Sequence, residues 1–267
     1  MSKEKYLFGE HQFNRRRLKL LNELINPTSK SLLSTADIAD NAYVCELAAG
    51  SGEMSCWMAK NIVPKAQMTA IDIDQNSVSI IANKAKKENI NNINLLVMSA
   101  YDIGSLNEYF DALYHRFLLV HLTNPTAALK SMHSALKPSG LLICEVVIHS
   151  HCFSSPPNNS YDSFIKYIKQ LFASEGKDYD IGKEITTLLN QVGYKLEYIH
   201  LHQPTLRTEH EKSMLSIGFK TAKDSFLQAG IASKEELDSV SKAFAMDIKK
   251  SDIWAFPNVC QVIARKV

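Results

Sequence analysis

Glycine is scarce in this chain, 10 in 267 residues, yet two stand in Glu46-Leu47-Ala48-Ala49-Gly50-Ser51-Gly52-Glu53. Glycine adopts backbone angles closed to other residues and lets a ligand come close to the main chain. If the turn joins a strand to a helix, that ligand sits at the helix N-terminus, where backbone N–H groups point outward. Read alone, the stretch also admits a tight turn without a ligand. A second feature lies further along: Met68-Thr69-Ala70-Ile71-Asp72 is an apolar run ending in an acid, 22 positions after Gly50. A carboxylate at the end of a second strand, about 20 residues after a glycine turn, can accept both hydroxyls of a ribose. The pair predicts a nucleoside-bearing ligand.

The identity of that nucleoside follows from charge. The dinucleotide fingerprint needs a third glycine where this chain has Ser55. Glu46 at the head of the loop repels a pyrophosphate but suits an amino group or a sulfonium. S-adenosylmethionine is therefore favoured over NAD.

These residues need a scaffold that brings them together. Short apolar runs at 43–47, 67–72, 93–98, 111–117, 141–148, 195–202 and 258–265 read as strands. Amphipathic stretches at about 53–62, 76–89, 125–137, 160–175 and 182–192 read as helices between them. That alternation predicts a mostly parallel sheet with helices on both faces. The first 40 residues read as helical, with Leu18, Leu21, Leu24 and Ile25 at helical spacing and Pro27 ending the helix. Residues 150–180 and 205–250 interrupt the rhythm as inserts, the second between two strands expected to pair antiparallel at one sheet edge.

Composition excludes more than it proves. Thirty basic residues against 28 acidic leave a net charge of +2, too balanced to announce a nucleic acid or a membrane surface. The five cysteines are scattered without a CxxC, so neither a zinc site nor a disulfide framework is indicated. No metal is expected. No apolar run is long enough for a signal peptide or a bilayer span, which makes a reduced cytoplasmic compartment the expectation.

Val44-Cys45-Glu46-Leu47-Ala48-Ala49-Gly50-Ser51-Gly52 resembles the first motif of the class I S-adenosylmethionine-dependent methyltransferases. Ala70-Ile71-Asp72-Ile73-Asp74 resembles their second, and Leu95 to Ile103 their third, where an acid or polar group meets the adenine amine. Residues 42–148 carry the resemblance closely. The departures are Ala48 in place of the first glycine and Ser99 in place of a common aspartate. The resemblance implies a Rossmann-like α/β fold: a seven-stranded mostly parallel sheet with an antiparallel edge strand and helical cap inserts. It also implies a cofactor site of Glu46, Ala48, Gly50, Gly52, Asp72, Ile73, Ser99, Ala100 and Tyr101; Arg116, at the end of the fourth strand, either faces that cofactor cleft or is a surface cation. One arginine of the Arg15-Arg16-Arg17 run, with Arg16 chosen, is expected to bind the cofactor carboxylate as a fork, with Tyr6 and Phe13 forming part of a lid. The whole chain then reads as one methyltransferase domain: an N-terminal lid (1–40), a cofactor-binding core (42–148), and inserts (150–180, 205–250) covering the acceptor.

For catalysis, alternation along a fifth strand ending in Glu145-Val146-Val147-Ile148-His149-Ser150-His151 would put His149 and His151 on one face of the crevice. They are the candidates for a general base or for hydrogen bonds to the substrate. His115 and His121 flank Arg116, and His121 reads as structural; Glu145 reads as a buried hydrogen-bonding acid. Phe153, Tyr161, Phe164 and Tyr167 serve either an acceptor pocket or a core. Two look-alikes are set aside. Ser155-Pro156-Pro157-Asn158 lacks the aromatic of an amino-group methyltransferase motif and follows the wrong strand. Tyr179 and Lys183 have the spacing of a dehydrogenase pair but are split by Gly182. The expected reaction is methyl transfer to an O, N or C nucleophile of a small molecule, because a large helical cover closes a pocket. An NAD(P)-dependent oxidoreductase and a non-catalytic protein holding S-adenosylmethionine or S-adenosylhomocysteine are the alternatives.

Overall fold

The computed structural model describes residues 12–106 and 110–267, with side chains from Arg16 onward. Tyr6, Phe13 and Arg15, suggested for a lid, lie outside the described side chains. Seven strands form one sheet: β1 (Val44–Leu47), β2 (Met68–Asp72), β3 (Ile93–Val97), β4 (Phe110–Arg116), β5 (Leu136–Ile148), β7 (Tyr194–His202) and β10 (Asn258–Lys266). Their order is β3-β2-β1-β4-β5-β10-β7. β1 pairs parallel with both β2 and β4, and β4 parallel with β5, while β10 runs antiparallel between β5 and β7. The chain thus reverses direction across the sheet between β1 and β4. A crevice opens there at the carboxyl ends of the strands.

Local chemistry explains the elements around the sheet. β1 and β2 are buried along their whole length, as strands covered on both faces must be. Helix α2 (Glu53–Asn61) starts at Gly52, and α3 (Gln75–Lys87) starts at Asp74, whose carboxylate accepts from the N–H groups of Asn76 and Ser77, each at 3.0 Å. Lys84, Lys86 and Lys87 close α3 where its dipole favours cations. Helices α4 (Pro125–Ala135) and α6 (Ile185–Val192) follow β4 and precede β7.

The inserts fold into a cap. It contains β6 (Phe153–Ser155), α5 (Asn159–Ser174), β8 (Thr205–Leu206), α7 (Glu209–Gln228), α8 (Lys234–Asp247) and β9 (Ile253–Ala255). β6, β9 and β8 make a small antiparallel sheet, whose strands are too short to show a period in the sequence. Both cap helices α7 and α8 open with capping boxes, Thr208 with Glu211 and Ser233 with Glu236. Phe164, Phe219, Phe226 and Phe244 pack ring to ring at 5.5–6.4 Å, and Tyr161 stacks on Trp254 at 5.1 Å. Tyr161 and Phe164 are therefore core, while Phe153 is exposed. Lys212 is fully buried against Asp252 at 2.6 Å, and Asp252 also accepts from the Trp254 indole at 2.8 Å. Ser155-Pro156-Pro157-Asn158 is a turn in which Asn158 caps α5.

Helix α1 (Gln12–Thr35) corrects one expectation: it runs straight through Pro27. Proline removes one helical hydrogen bond and crowds the preceding turn. Thr28 and Ser29 hydroxyls bond back to the Ile25 carbonyl, at 2.9 and 3.3 Å. Tertiary bonds from β4, described below, hold the same turn in place.

Among the described residues, no helix is long and apolar enough to cross a membrane.

Ala48 has φ of 56° and is exposed. Its left-handed conformation costs a side chain about 1–2 kcal/mol, and no packing would be lost with its methyl. Ala48→Gly is expected to stabilise the protein by about 1 kcal/mol after the added unfolded-state entropy is subtracted. In a chain of this size that is a rise of about 2 °C in the melting temperature, readable by calorimetry.

Candidate active site

Glu46, the third residue of β1, lies in register with Ala70 of β2 and Tyr114 of β4. Its carboxylate is 5% exposed and accepts a short hydrogen bond from the Ser55 hydroxyl on α2. Burial pushes its pKa up to about 7, against the opposing pull of Ser55 and of Arg116 nearby. Ser55, whose only role in the sequence was to spoil a dinucleotide fingerprint, thus holds the acid that heads the loop. The chain then turns through left-handed Ala48, Gly50 (φ 55°) and Gly52 (φ 70°). The two glycines differ in why they are needed. A Cβ on Gly52 would lie 2.7 Å from Ile81, so the loop packs hard on α3. A Cβ on Gly50 would meet nothing closer than 4.0 Å, so that side of the loop is open.

Asp72 closes the arrangement. Its Oδ2 accepts the Gly50 N–H at 2.8 Å and its Oδ1 the Asp74 N–H at 3.0 Å. The fingerprint's two halves, 22 residues apart in sequence, are therefore joined directly. Each carboxylate oxygen keeps a second lone pair for a ribose hydroxyl. Burial raises this acid's pKa as well. Next to it Ile73 is 54% exposed, an apolar side chain open to a flat ring. Across β3, Ser99 Oγ accepts the Tyr101 N–H at 3.3 Å, Tyr101 Oη accepts the Asn124 N–H at 3.1 Å, and Ala100 is buried. Two acids, an open glycine backbone and an exposed apolar side chain fit an adenosine with a cationic tail.

The cations fall differently from expectation. The Arg116 guanidinium donates to Asn22 Oδ1 at 2.8 Å, Asn26 Oδ1 at 2.9 Å and Ser29 Oγ at 2.9 Å. These three donors point to α1 and clasp that helix across the sheet end, while its charge still acts on Glu46 at the head of the loop. Asn22 in turn donates to Ser51 Oγ at 3.1 Å, so α1 crosses the glycine loop. A cleft of about 540 Å³ beside the loop is lined by Asn22, Glu23, Asn26 and Glu53, among others. Another, of about 500 Å³, lies by Tyr43, Asp111 and Lys137 at the opposite end of the strands, away from all of this chemistry. Arg16 is exposed, whereas Arg17 is buried at 8%. The helical phase was readable: Arg17, Leu20, Leu21, Leu24 and Ile25 share one stripe.

The strand alternation predicted for the histidines does not occur. β5 ends at Ile148, and His149–His151 form a single 3-10 turn, which points the two rings apart. His149 Nδ1 lies 2.8 Å from the Tyr179 carbonyl. A carbonyl only accepts, so Nδ1 carries the proton and Nε2 is left as a base. Burial lowers the His149 pKa and keeps the ring neutral. His151 is exposed, and its Nδ1 accepts from the Asn258 amide at 2.7 Å. His121 is driven down to about 3 by burial and by Lys177 and Arg17. His115 is fully buried with neither ring nitrogen paired among the described residues. Glu145 is a structural acid, accepting from Tyr114 at 2.6 Å and Gln261 at 3.0 Å. Lys183 bonds Ser150 and Asp180 rather than Tyr179, which disposes of the dehydrogenase pair.

Residues 44–140 match the family described as "Methyltransferase domain". A ubiquinone/menaquinone biosynthesis C-methyltransferase of Neisseria meningitidis is 25% identical over 208 residues, covering 74% of this chain and 75% of that protein. Among solved structures, the YcgJ protein of Bacillus subtilis superposes with a TM-score of 0.62 at 13% identity, over 89% of this chain and 97% of that one. The phosphoethanolamine N-methyltransferase 2 of Haemonchus contortus, solved with S-adenosylhomocysteine, gives 0.52 at 14% identity, over 94% and 52%. Residues 44–140 are thus a methyltransferase domain, carried on the sheet order described and holding the glycine loop bonded to Asp72.

Proposed function

We propose that the protein transfers a methyl group from S-adenosylmethionine to a nucleophilic atom of a small organic acceptor bound beneath the cap. The observation that carries this reading is the Asp72–Gly50 bond at 2.8 Å, with the buried Glu46 at the head of the same loop. Bound there, the cofactor supplies a methyl group already activated by its sulfonium. The chain's task is then position and charge. Asp72 and Ile73 hold the nucleoside, with Ser99 to Tyr101 on the neighbouring strand, and Glu46 faces the cationic end. Alignment of the two reactants lowers much of the barrier. Helix α1, fixed by Arg116 and by Asn22 on Ser51, covers the loop and excludes water. His149, its tautomer set by the Tyr179 carbonyl, is placed to take a proton at Nε2 from an acceptor that must lose one. The enclosing cap of α1, α5 and α7 supports a small acceptor over a macromolecular one.

The direct test incubates the protein with S-adenosylmethionine and a panel of small phenols, amines and organic acids, reading S-adenosylhomocysteine by mass spectrometry. Acceptor-dependent product supports the reading. Tight cofactor binding without turnover on any acceptor would turn it toward a ligand-holding role, and binding of NADH alone would overturn it.

Glu46 makes a second prediction. With a pKa of about 7 it is largely protonated at pH 6, and a cationic ligand beside it favours the ionised form. Binding is therefore expected to release a proton below pH 7 and to tighten as pH rises toward 8. Titration calorimetry in buffers of different ionisation enthalpy measures that proton. Glu46→Gln should abolish both the release and the pH dependence. The same group acts on stability in the opposite sense. Because its folded pKa lies above the unfolded value of 4.5, stability declines as pH rises from about 4.5 to 7.

A further inference from the structure

The stretch from Tyr179 to Lys183 holds no dehydrogenase pair, but it lies directly against the turn that carries His149. Gly182, in a second 3-10 turn (Ile181–Lys183), is buried on the end of β5. A Cβ there would lie 2.7 Å from Ile148 Cγ1 and 2.8 Å from the Val147 carbonyl oxygen, the second of them backbone that cannot swing aside. Only glycine lets the segment settle this close. From there it reaches the His149–His151 turn. The Tyr179 carbonyl is 2.8 Å from His149 Nδ1, and the Tyr179 ring stacks on the imidazole at 4.7 Å. Asp180 accepts the Ser150 N–H at 2.8 Å. Lys183 donates to the Ser150 hydroxyl at 2.7 Å and to Asp180 at 3.0 Å, which closes a triangle. The last residue of the turn is held by groups outside the segment. Gln203 donates to the His151 carbonyl at 2.7 Å, and the Asn258 amide to His151 Nδ1 at 2.7 Å.

A neutral imidazole has one N–H and one lone pair, and the partner of one nitrogen decides the role of the other. In water the proton prefers Nε2, the form in which that nitrogen donates and cannot act as a base. The Tyr179 carbonyl opposes this preference through one hydrogen bond, which holds only within a few tenths of an ångström of its ideal length. We infer that Gly182, Asp180 and Lys183 are positioning residues for His149: they press the Tyr179 carbonyl onto Nδ1 and so keep Nε2 free to accept a proton. Each acts through the turn or through Tyr179 rather than on the imidazole. The inference rests on the reading of His149 as the proton acceptor and names the residues that make its tautomer the useful one.

The tautomer can be read by NMR without any acceptor. Full-length protein labelled with nitrogen-15 in its histidines gives long-range imidazole correlations at pH 8, where protonated and bare ring nitrogens differ widely in shift. His149→Gln identifies the signals. In the wild type His149 should show one form, protonated at Nδ1. Gly182→Ala should move the tautomer ratio toward Nε2–H by about 5-fold, the worth of one hydrogen bond, and Asp180→Ala by less. Asp180→Asn keeps an acceptor for the Ser150 N–H and should restore the wild-type spectrum. S-adenosylhomocysteine affinity within about 2-fold of wild type certifies the fold of each variant. With a phenol as acceptor, kcat should fall about 10- to 100-fold in Gly182→Ala, the cost of a small misplacement of a reacting group, with the KM for S-adenosylmethionine unchanged. A wild-type ring protonated at Nε2, or a tautomer unmoved by both Gly182→Ala and Asp180→Ala, overturns the positioning role, and a His149 still essential for turnover would then leave the base reading standing. Tautomers that shift as expected while His149→Gln leaves turnover intact sink the base reading and the positioning role with it.

Discussion

Asp72→Ala is expected to weaken S-adenosylmethionine and S-adenosylhomocysteine binding by about 100- to 1,000-fold. The side chain stands to lose two charge-assisted hydrogen bonds to a ribose, each worth about 1.5–3 kcal/mol. It also releases the Gly50 and Asp74 N–H groups, so the loop it now orders becomes looser. Removing a partly buried acid has an opposite effect on the empty protein, because burial raises this carboxyl's pKa and its charge is held at a cost. The two effects separate in one experiment. A saturating ligand raises the melting temperature of the wild type in proportion to ln(1 + [L]/Kd). In the variant that rise should vanish while the unliganded melting temperature moves little. Asp72→Asn retains acceptor capacity at one atom and should fall between the two. Ligand stabilisation that survived Asp72→Ala would show that the nucleoside lies elsewhere.

His149→Gln carries the second large expectation: a fall of about 100- to 10,000-fold in kcat on an acceptor whose nucleophile begins protonated, the usual range for a positioned base. The Michaelis constant for the cofactor should not change, since His149 stands at the end of β5, beyond the strands that build the glycine loop. The pH profile supplies the diagnostic. Burial lowers the His149 pKa below its ordinary value of 6.5, so the wild-type enzyme should keep its base, and its rate, as pH falls through 6.5. The acid limb of kcat/KM should appear only below that point and be absent in the variant. His151→Gln is the internal control: its ring is exposed and turned away by the 3-10 turn, and it should retain full activity. Equal losses from both substitutions would point to disruption of the turn rather than to proton transfer.

The cofactor half of the molecule was legible from residues because its determinants are local. A strand, a glycine turn and a helix cap are written within a few neighbouring positions. The acid at Asp72 stands at a distance dictated by one strand–helix–strand unit. The same holds for the inner strands. Helix α1 shows the limit of that reasoning. Pro27 is a stop signal by local rules, and it is overruled because Arg116, 89 positions away, donates to Asn22, Asn26 and Ser29 on either side of it.

The acceptor side was the less readable half for the same reason. His149 and His151 alternate in sequence, but the strand ends one residue too soon, and only the Tyr179 carbonyl decides which nitrogen of His149 is basic. Short-range periodicity, turn chemistry and the charge at Glu46 determined from sequence alone that this chain binds an adenosyl cation on a mostly parallel sheet. Which cation clasps a helix and which nitrogen of His149 carries the proton were decided by tertiary packing, because each depends on burial and on partners contributed by elements far apart in the chain.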